Sequence, residues 1–454
     1  MTAAVVLAAG HGTRMHSRKA KVLHELGGLP LVGHVLNTVS RLPVESVVVV
    51  VGWQAEAVAE VVGERARLVT QPRPLGTADA VHRALSVLPP DVDRVLVVYG
   101  DTPLVPDELL RDLLLEAPDH DAVLVTADMA DPTGYGRIIR DEAGRVARVV
   151  EQVEATPEEL QIHEINTGFG VWDRSALLEV LPMLKPHKEE LYLTDCVALL
   201  AERGAQVAAL RASEPARVMG INTMEHLAEA EAILRRDTLG RLMALGVRVV
   251  DPATTYVDAT VTVGADAVIM PMTTLRGRTV VGEGAHIGPL ATIIDSTVGD
   301  HSSVGSSVVE QSRIGPHCDV GPWCHLRPGT FLERDVHIGN FVELKNARLG
   351  LGTKAGHHTY LGDATIGAHV NIGAGTVIVN YDGREKHQTF IGDDAFIGCN
   401  ANLVAPLEIG PGAYVAAGST VDHNVPGDAL AIARARQENK AEWARKRRET
   451  APRP

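Results

Sequence analysis

AHIGPLATIIDSTVGDHSSVGSSVVEQSRIGPHCDVGPWCHLRPGTFLERDVHIGN, residues 285–340, sets an aliphatic side chain at Ile287, Ile293, Val298, Val304, Val309, Ile314, Val320, Leu326, Leu332 and Ile338. The step is six residues, with an occasional five. Outward from this stretch the spacing runs back through Leu275 and Val263 to Val257. It runs on through Leu344, Leu361, Ile378, Ile397 and Leu403 to Val421. Gly often follows the aliphatic residue, as at Gly288, Gly315, Gly373 and Gly398. A period of six suits neither an α-helix nor a flat strand, and it is the signature of a parallel β-helix built from hexapeptides. Each hexad predicts a short strand with its aliphatic residue inward and a corner that Gly can turn without a clash. Three hexads close a triangular coil, so residues about 18 apart stack, Val263 on Val281, and the run predicts roughly nine coils. The five-residue steps are expected at corners.

At 454 residues the chain has room for two or three domains, and the hexads account for its 43 glycines. A formal charge of −14 argues against a dedicated nucleic-acid binder. It leaves room for small phosphate-bearing substrates, which need only local positive groups and a metal. No apolar run reaches about 18–20 residues without a charge, and the start lacks a charged-then-apolar signal layout. The sequence therefore reads as cytoplasmic, with neither membrane nor nucleic acid as partner. Cys196, Cys318, Cys324 and Cys399 show no metal-ligand spacing and are expected as free thiols.

Ahead of the hexads, an apolar run Ala3–Leu7 leads into Ala8-Ala9-Gly10-His11-Gly12-Thr13-Arg14. Further strands are expected at Ser46–Val51, Arg94–Tyr99, Ala122–Ala127 and Phe169–Trp172, with helices at Leu31–Leu42 and Ala78–Leu88 between them. Alternating strands and helices predict a doubly wound, Rossmann-like α/β domain with a mainly parallel sheet and ligands at the strands' carboxyl ends. Gly10 and Gly12 let backbone N–H groups approach phosphate oxygens, and Arg14 and Lys21 add mobile positive charge. The dinucleotide fingerprint fails because Met15 stands at its third Gly, and no Gly-Lys-Ser/Thr closes a Walker loop. Asp101 ends an apolar strand, where a carboxylate can hold a hard cation. Glu225–Leu245 has helical spacing among many charges and reads as an exposed helix capped by Gly246. From Asp428 to Arg448 a basic tail is expected to be helical.

LAAGHGTRM with Lys21 downstream resembles the sugar-nucleotidyltransferase family. QPRPLGTADA (71–80), VYGD (98–101), GYGRI (134–138), VEQ (150–152), EINTG (164–168), LYLTD (191–195) and GIN (220–222) agree in order. Joined to the hexads, the chain is similar over nearly its full length to the bifunctional N-acetylglucosamine-1-phosphate uridyltransferase/glucosamine-1-phosphate N-acetyltransferase family. That resemblance implies a uridylyltransferase domain at 1–222, a helical linker at 223–250 and a left-handed β-helix acetyltransferase domain at 251–454. It implies UTP and N-acetylglucosamine-1-phosphate at the first site, with Mg²⁺ on Asp101 and Asn222. Leu7, Ala8, Ala9, Gly10, Tyr99 and Gly100 would wall the nucleotide, Arg14 and Lys21 would steady the phosphates, and Gln71, Gly76 and Thr77 would read uracil. Gly136, Glu151 and Asn166 would hold the sugar.

For the second site, KAGHHTYLGD (354–363) matches the segment that carries the general base, His357 rather than His358. Arg327, Lys345, Tyr360 and Asn371 match contacts to glucosamine-1-phosphate. Ala374, Asn380, Tyr381, Cys399, Ala417 and Arg434 match contacts to acetyl-CoA. The repeat breaks between Ile378 and Ile391, and the polar segment Val379–His387 should project as a loop, where sites gather. The resemblance further implies a homotrimer and a product, UDP-N-acetylglucosamine, that feeds cell-envelope precursors. A nucleotidyltransferase whose β-helix only oligomerises is the alternative. Three departures stand out: Ala20 replaces the Pro usual before the loop lysine and could loosen the loop, Asp79 stands where His is usual, and Cys399 replaces Ser.

Overall fold

The computed structural model describes residues 1–187 and 189–450 and divides into two compact units, Met1–Asp237 and Thr238–Pro454. The first is a nine-stranded sheet with helices on both faces. Its main path runs Val207–Arg211, Ala122–Asp128, Glu164–Asp173, Arg94–Tyr99, Thr2–Ala8, Ser46–Val51 and Arg67–Thr70. All neighbours on this path are parallel except Glu164–Asp173, which runs against both of its partners. The central strands are apolar throughout because both faces are covered: Ala4, Val6 and Ala8 enter one core, Ala3, Val5 and Leu7 the other. Arg137–Arg140 and Val146–Val150 form an antiparallel hairpin off the path. The expected strands and helices stand within a few residues of their places. Two edge strands, Arg67–Thr70 and Val207–Arg211, were not read, being short and only partly buried.

The second unit is the left-handed parallel β-helix expected, with 26 strands in one continuous parallel ladder. Val263 pairs with Val281, and Leu326 stacks between Val309 and Leu344, all of them buried. The coil begins slightly earlier than the periodicity showed, at Arg248–Val249, and ends at Leu430–Ala431. The five-residue steps do fall at corners: Asp295, Ser306, Gln311, Asn346 and Asp363 take φ of 46°, 28°, 42°, 47° and 49° in the tightened turns. The tail departs from expectation, because only Trp443–Thr450 is helical. Residues 434–442 are exposed and present no apolar face to a neighbour, so nothing offsets the cost of starting a helix there. The helix Met224–Ala244 joins the two units in sequence; Ala230 packs with Met15, Leu26 and Leu31, while Leu239 and Leu242 enter the β-helix core.

A second inward column escaped the sequence reading. Two residues before each aliphatic rung stands a small buried side chain: Thr279, Ser296, Ser302, Ser307, Ser312 and Thr330 among them. Their hydroxyls satisfy backbone groups at the corners, as Ser302 does by donating to the Gly315 carbonyl at 2.8 Å and accepting from Cys318 N at 2.9 Å. Cys318 and Cys324 belong to this column, and their thiols donate to the carbonyls of Glu333 and Gly339. Burial pushes the Cys318 thiol up to about 11 and that of Cys196 up to about 12. Cys399 alone is exposed among the four free cysteines. A thiol reagent at pH 8 is therefore expected to titrate one cysteine per chain rapidly and all four only after denaturation; rapid reaction of Cys318 or Cys324 would contradict this column.

Candidate active sites

The sheet order reverses between Thr2–Ala8 and Arg94–Tyr99, and sheets of this kind open their ligand crevice there. A cleft of about 250 Å³ lies at that point, lined by Leu7, Ala8, Ala9, Gly10, Lys21, Gln71, Gly76, Thr77, Tyr99 and Asp101. The structure thus brings together most residues assigned to the nucleotide. Pro74, Glu190 and Tyr192 also line it and were not singled out in the sequence. Gly12 takes φ +64°, and a Cβ there would sit 2.6 Å from Lys21 Cβ, so the two ends of the loop close on each other.

Behind the loop, Asp101 is 8% exposed and receives the Lys21 ammonium. The same ammonium donates to Asn222 Oδ1 at 3.0 Å, as does Arg14 Nη2 at 3.0 Å. Gly220 makes this approach possible, since a Cβ there would meet Asp101 Oδ2 at 3.2 Å, and its carbonyl accepts Asn222 Nδ2 at 3.0 Å. Two oxygen donors from distant segments therefore converge on one cationic atom. Carboxylate and amide oxygens are suitable ligands for a hard divalent ion. No group of three or more His, Cys, Asp or Glu could hold a metal among the described residues, so substrate oxygens and water would complete the shell.

Within the cleft, Gln71 Nε2 donates to the Gly76 carbonyl at 3.0 Å and to Asp79 Oδ2 at 2.8 Å. Burial pushes the Asp79 carboxyl up, but hydrogen bonds from Arg83 and Gln71 outweigh it and hold the group below its ordinary range. Asp79 and the Gly76 carbonyl thus hold the Gln71 amide between them. Gly76 takes φ +96° directly against the Leu191 backbone, and Thr77 Oγ1 accepts from Leu193 N at 2.9 Å, which docks LYLTD on the cleft. Among the residues assigned to the sugar, Asn166 N donates to the Gly136 carbonyl at 2.9 Å, and Gly136 lies against Val149 and Glu151. Burial pushes Glu151 up, while the Thr194 hydroxyl donates to it at 3.4 Å. His187 bridges Glu154 at 2.6 Å and Asp195 at 3.0 Å and stacks on Tyr192. Ala20 does not leave the loop untied, since its amide donates to Gln54 Oε1 at 2.7 Å.

In the β-helix the ladder sets columns. Ile338, Ala355, Ile372, Ile397 and Val415 pair in succession. Two residues beyond each stand Asn340, His357, Ala374, Cys399 and Ala417, so the proposed base shares one corner with three residues assigned to acetyl-CoA. His357 Nδ1 is bonded to Asn340 Oδ1 at 2.9 Å. The next position, Phe341, His358, Gly375, Asn400 and Gly418, has φ from 40° to 75° throughout, which makes the corner turn and places His358 in it. Arg434 Cδ lies 3.7 Å from where a Cβ on Gly418 would be.

A second group occupies the neighbouring face. Arg327, Lys345 and Tyr360 lie on consecutive rungs, and Arg327 Nη1 donates to Glu343 Oε1 at 3.0 Å. The Lys386 ammonium and then the Arg327 charge hold Lys345 below its ordinary pKa. Lys386 was not singled out, because only the folded loop brings it there. That loop is ordered: Tyr381 pairs with Lys386, and Asp382 accepts Arg384 N and Glu385 N at 2.8 Å and the His387 ring at 2.8 Å. The Asp363 carboxylate accepts Asn346 Nδ2 at 2.7 Å and Asn380 Nδ2 at 2.6 Å, fixing the loop's entry. Asn371 pairs with Lys354 and Phe396 on a different face, so a single chain does not bring it to Arg327 and Lys345.

Residues 4–164 match the MobA-like NTP transferase domain, 252–349 the GMPPB C-terminal domain, and 388–423 the bacterial transferase hexapeptide (six repeats). The chain is 45% identical over 444 residues to the bifunctional protein GlmU of Geobacillus sp. (strain WCH70), covering 97% of each. It is 44% identical over 448 residues to that of Halalkalibacterium halodurans, covering 98% of each. It is 46% identical over 444 residues to that of Geobacillus thermodenitrificans, covering 97% of each. With the likeness running nearly the length of either chain, this protein belongs to the family of the bifunctional protein GlmU.

Proposed function

We propose that the chain makes UDP-N-acetylglucosamine at two separate sites, acetylating glucosamine-1-phosphate with acetyl-CoA on the β-helix and then transferring uridylyl from UTP in the first unit. The observation that carries the two-site reading is the corner column, which sets His357 among Asn340, Ala374, Cys399 and Ala417. A β-helix serving only for oligomerisation has no need of such a column. In the first unit an oxygen of N-acetylglucosamine-1-phosphate attacks the α-phosphorus of UTP, a P–O bond forms, the α–β bond breaks and pyrophosphate leaves. Lys21 and Arg14 neutralise the phosphates and hold them in line, and Gln71 fixes uracil, so positioning and charge carry the rate. Asp101 and Asn222 would hold Mg²⁺, which supplies further charge neutralisation when bound.

On the β-helix, Nδ1–H of His357 donates to Asn340 Oδ1, which leaves Nε2 with the free lone pair. Nε2 takes the proton from the amine as nitrogen attacks the thioester carbon, the C–S bond breaks and CoA departs as the thiol. Arg327, Lys345 and Lys386 bind the sugar phosphate. Asn371 lies on the face that precedes the His357 corner, away from Arg327 and Lys345; in a homotrimer a neighbouring chain would bring such a residue to the sugar phosphate. Among the described residues no helix is long and apolar enough to cross a membrane.

Asp101→Ala is expected to lower uridylyl transfer by at least a thousandfold with acetyl transfer unchanged, and His357→Ala to do the reverse. Pyrophosphate and thiol release measured on the same samples check both, and wild-type protein without thiol release would leave only the oligomerising reading. A second outcome concerns Lys345. Lys386 and then Arg327 hold its pKa below the ordinary value, so its charge, and with it the affinity for a phosphate dianion, falls away as pH rises through that value. Lys386→Ala is expected to raise KM for glucosamine-1-phosphate about tenfold near neutrality and to move the alkaline rise of KM to higher pH. Measurement of KM from pH 7 to 9.5 decides it; an unmoved rise counts against a shared anion site.

A further inference from the structure

The turn after Ser46–Val51 touches the phosphate loop at three points in succession. Gly52 lies against Ala9, where a Cβ would come 2.7 Å from the Ala9 carbonyl oxygen. Trp53 stacks on His11, ring centroids 5.0 Å apart at 29°. Gln54 reaches the far flank: its Oε1 accepts Ala20 N at 2.7 Å and its Nε2 donates to the Arg18 carbonyl at 3.0 Å. Gln54 itself takes φ +53°, a conformation uncommon for a residue with a side chain. A glycine would relieve that backbone cost but would carry no amide to bind the loop. Ala20 has φ −57°, which proline also adopts, yet its N–H is in use.

We propose that Gln54 is a positioning residue for uridylyl transfer, clamping Arg18 and Ala20 so that Lys21 is presented to the phosphates, and that it replaces the rigidity a proline at 20 would supply. The two devices exclude each other. Pro at 20 has no N–H, so it would orphan Gln54 Oε1. Gly at 54 would leave the Ala20 amide unbound and the loop free to move. The inference rests on the cleft binding UTP as proposed above. Gln54 touches no substrate and acts only through the loop.

The test is a double-mutant cycle on the full chain with both activities measured. Gln54→Gly is expected to raise KM for UTP about tenfold, as the loss of one to two net hydrogen bonds gives, with acetyl transfer unchanged. Ala20→Pro alone is expected to impair uridylyl transfer, and Ala20→Pro with Gln54→Gly to recover most of what Gln54→Gly lost. Tryptic cleavage after Arg18 supplies a readout independent of activity, faster in Gln54→Gly and slowed again in the double variant. Unchanged KM for UTP in Gln54→Gly, or a double variant no better than Gln54→Gly, overturns the proposal. Wild-type protein that transfers no uridylyl group would instead sink the reading of the cleft, and the tryptic pattern alone would then judge the clamp.

Discussion

Rung-on-rung pairing in the β-helix is the constraint from which the second half of the molecule follows. Once Ile338, Ala355 and Ile372 are locked in one ladder, every other residue of those hexads has its neighbours chosen for it. Asn340 must stand beside His357, and Asn346 beside Asp363. Such a scaffold cannot slide to adjust a poor contact, because a slip of one residue would turn the inward aliphatic residues outward. Chemistry on it depends on which side chains share a column, and the strands His337–Leu349 and Lys354–Ile366 run without a break through the corner that holds His357. The proposed base is thus held on a paired backbone, where its geometry is fixed before any substrate arrives.

The first unit reaches the same end by a different route. Its reactive groups come from separate loops and converge because parallel strands deliver their carboxyl ends to one edge. Lys21, Asp101 and Asn222 lie far apart in sequence, yet one ammonium joins them. Glycine is what permits the packing: Gly220 against Asp101 and Gly76 against Leu191 are approaches that a side chain would block. A loop so assembled has little core of its own, so contacts such as Gln54 with Arg18 and Ala20 carry weight that a helix or strand would otherwise bear.

These differences explain what could be read from the sequence. The hexads were legible because a rigid fold repeats its demand at every rung, down to the short corners at Asp295 and Asp363. The nucleotide motifs were legible as strings, since Gly10 through Arg14 and Tyr99 through Asp101 are each continuous. Asn340 was not, because nothing in its neighbourhood marks it and only the ladder places it beside His357; Lys386 lies in the segment read as a loop, but only loop closure places it beside Lys345. The small buried column of Ser302 and Cys318 was missed for another reason: polar and sulfur residues at inward positions look like surface until their corner hydrogen bonds are seen. The tail misled in the opposite sense, its composition favouring a helix that has no partner face along residues 434–442.

Both sites must attract anions to a chain with a net charge of −14. Charges farther than about 8 Å are largely screened at physiological ionic strength, so what a phosphate meets is set by the few groups in reach. Arg14 and Lys21 meet on Asn222 in one site; Lys345, Lys386 and Arg327 crowd together in the other. Crowding like charges costs free energy in the empty protein, visible in the depressed Lys345. A dianionic ligand relieves that cost on binding, so the unfavourable arrangement of the free state becomes a preference for phosphate over neutral sugar. Local cationic clusters on an acidic surface therefore give selectivity without the general stickiness toward polyanions that a basic protein would show.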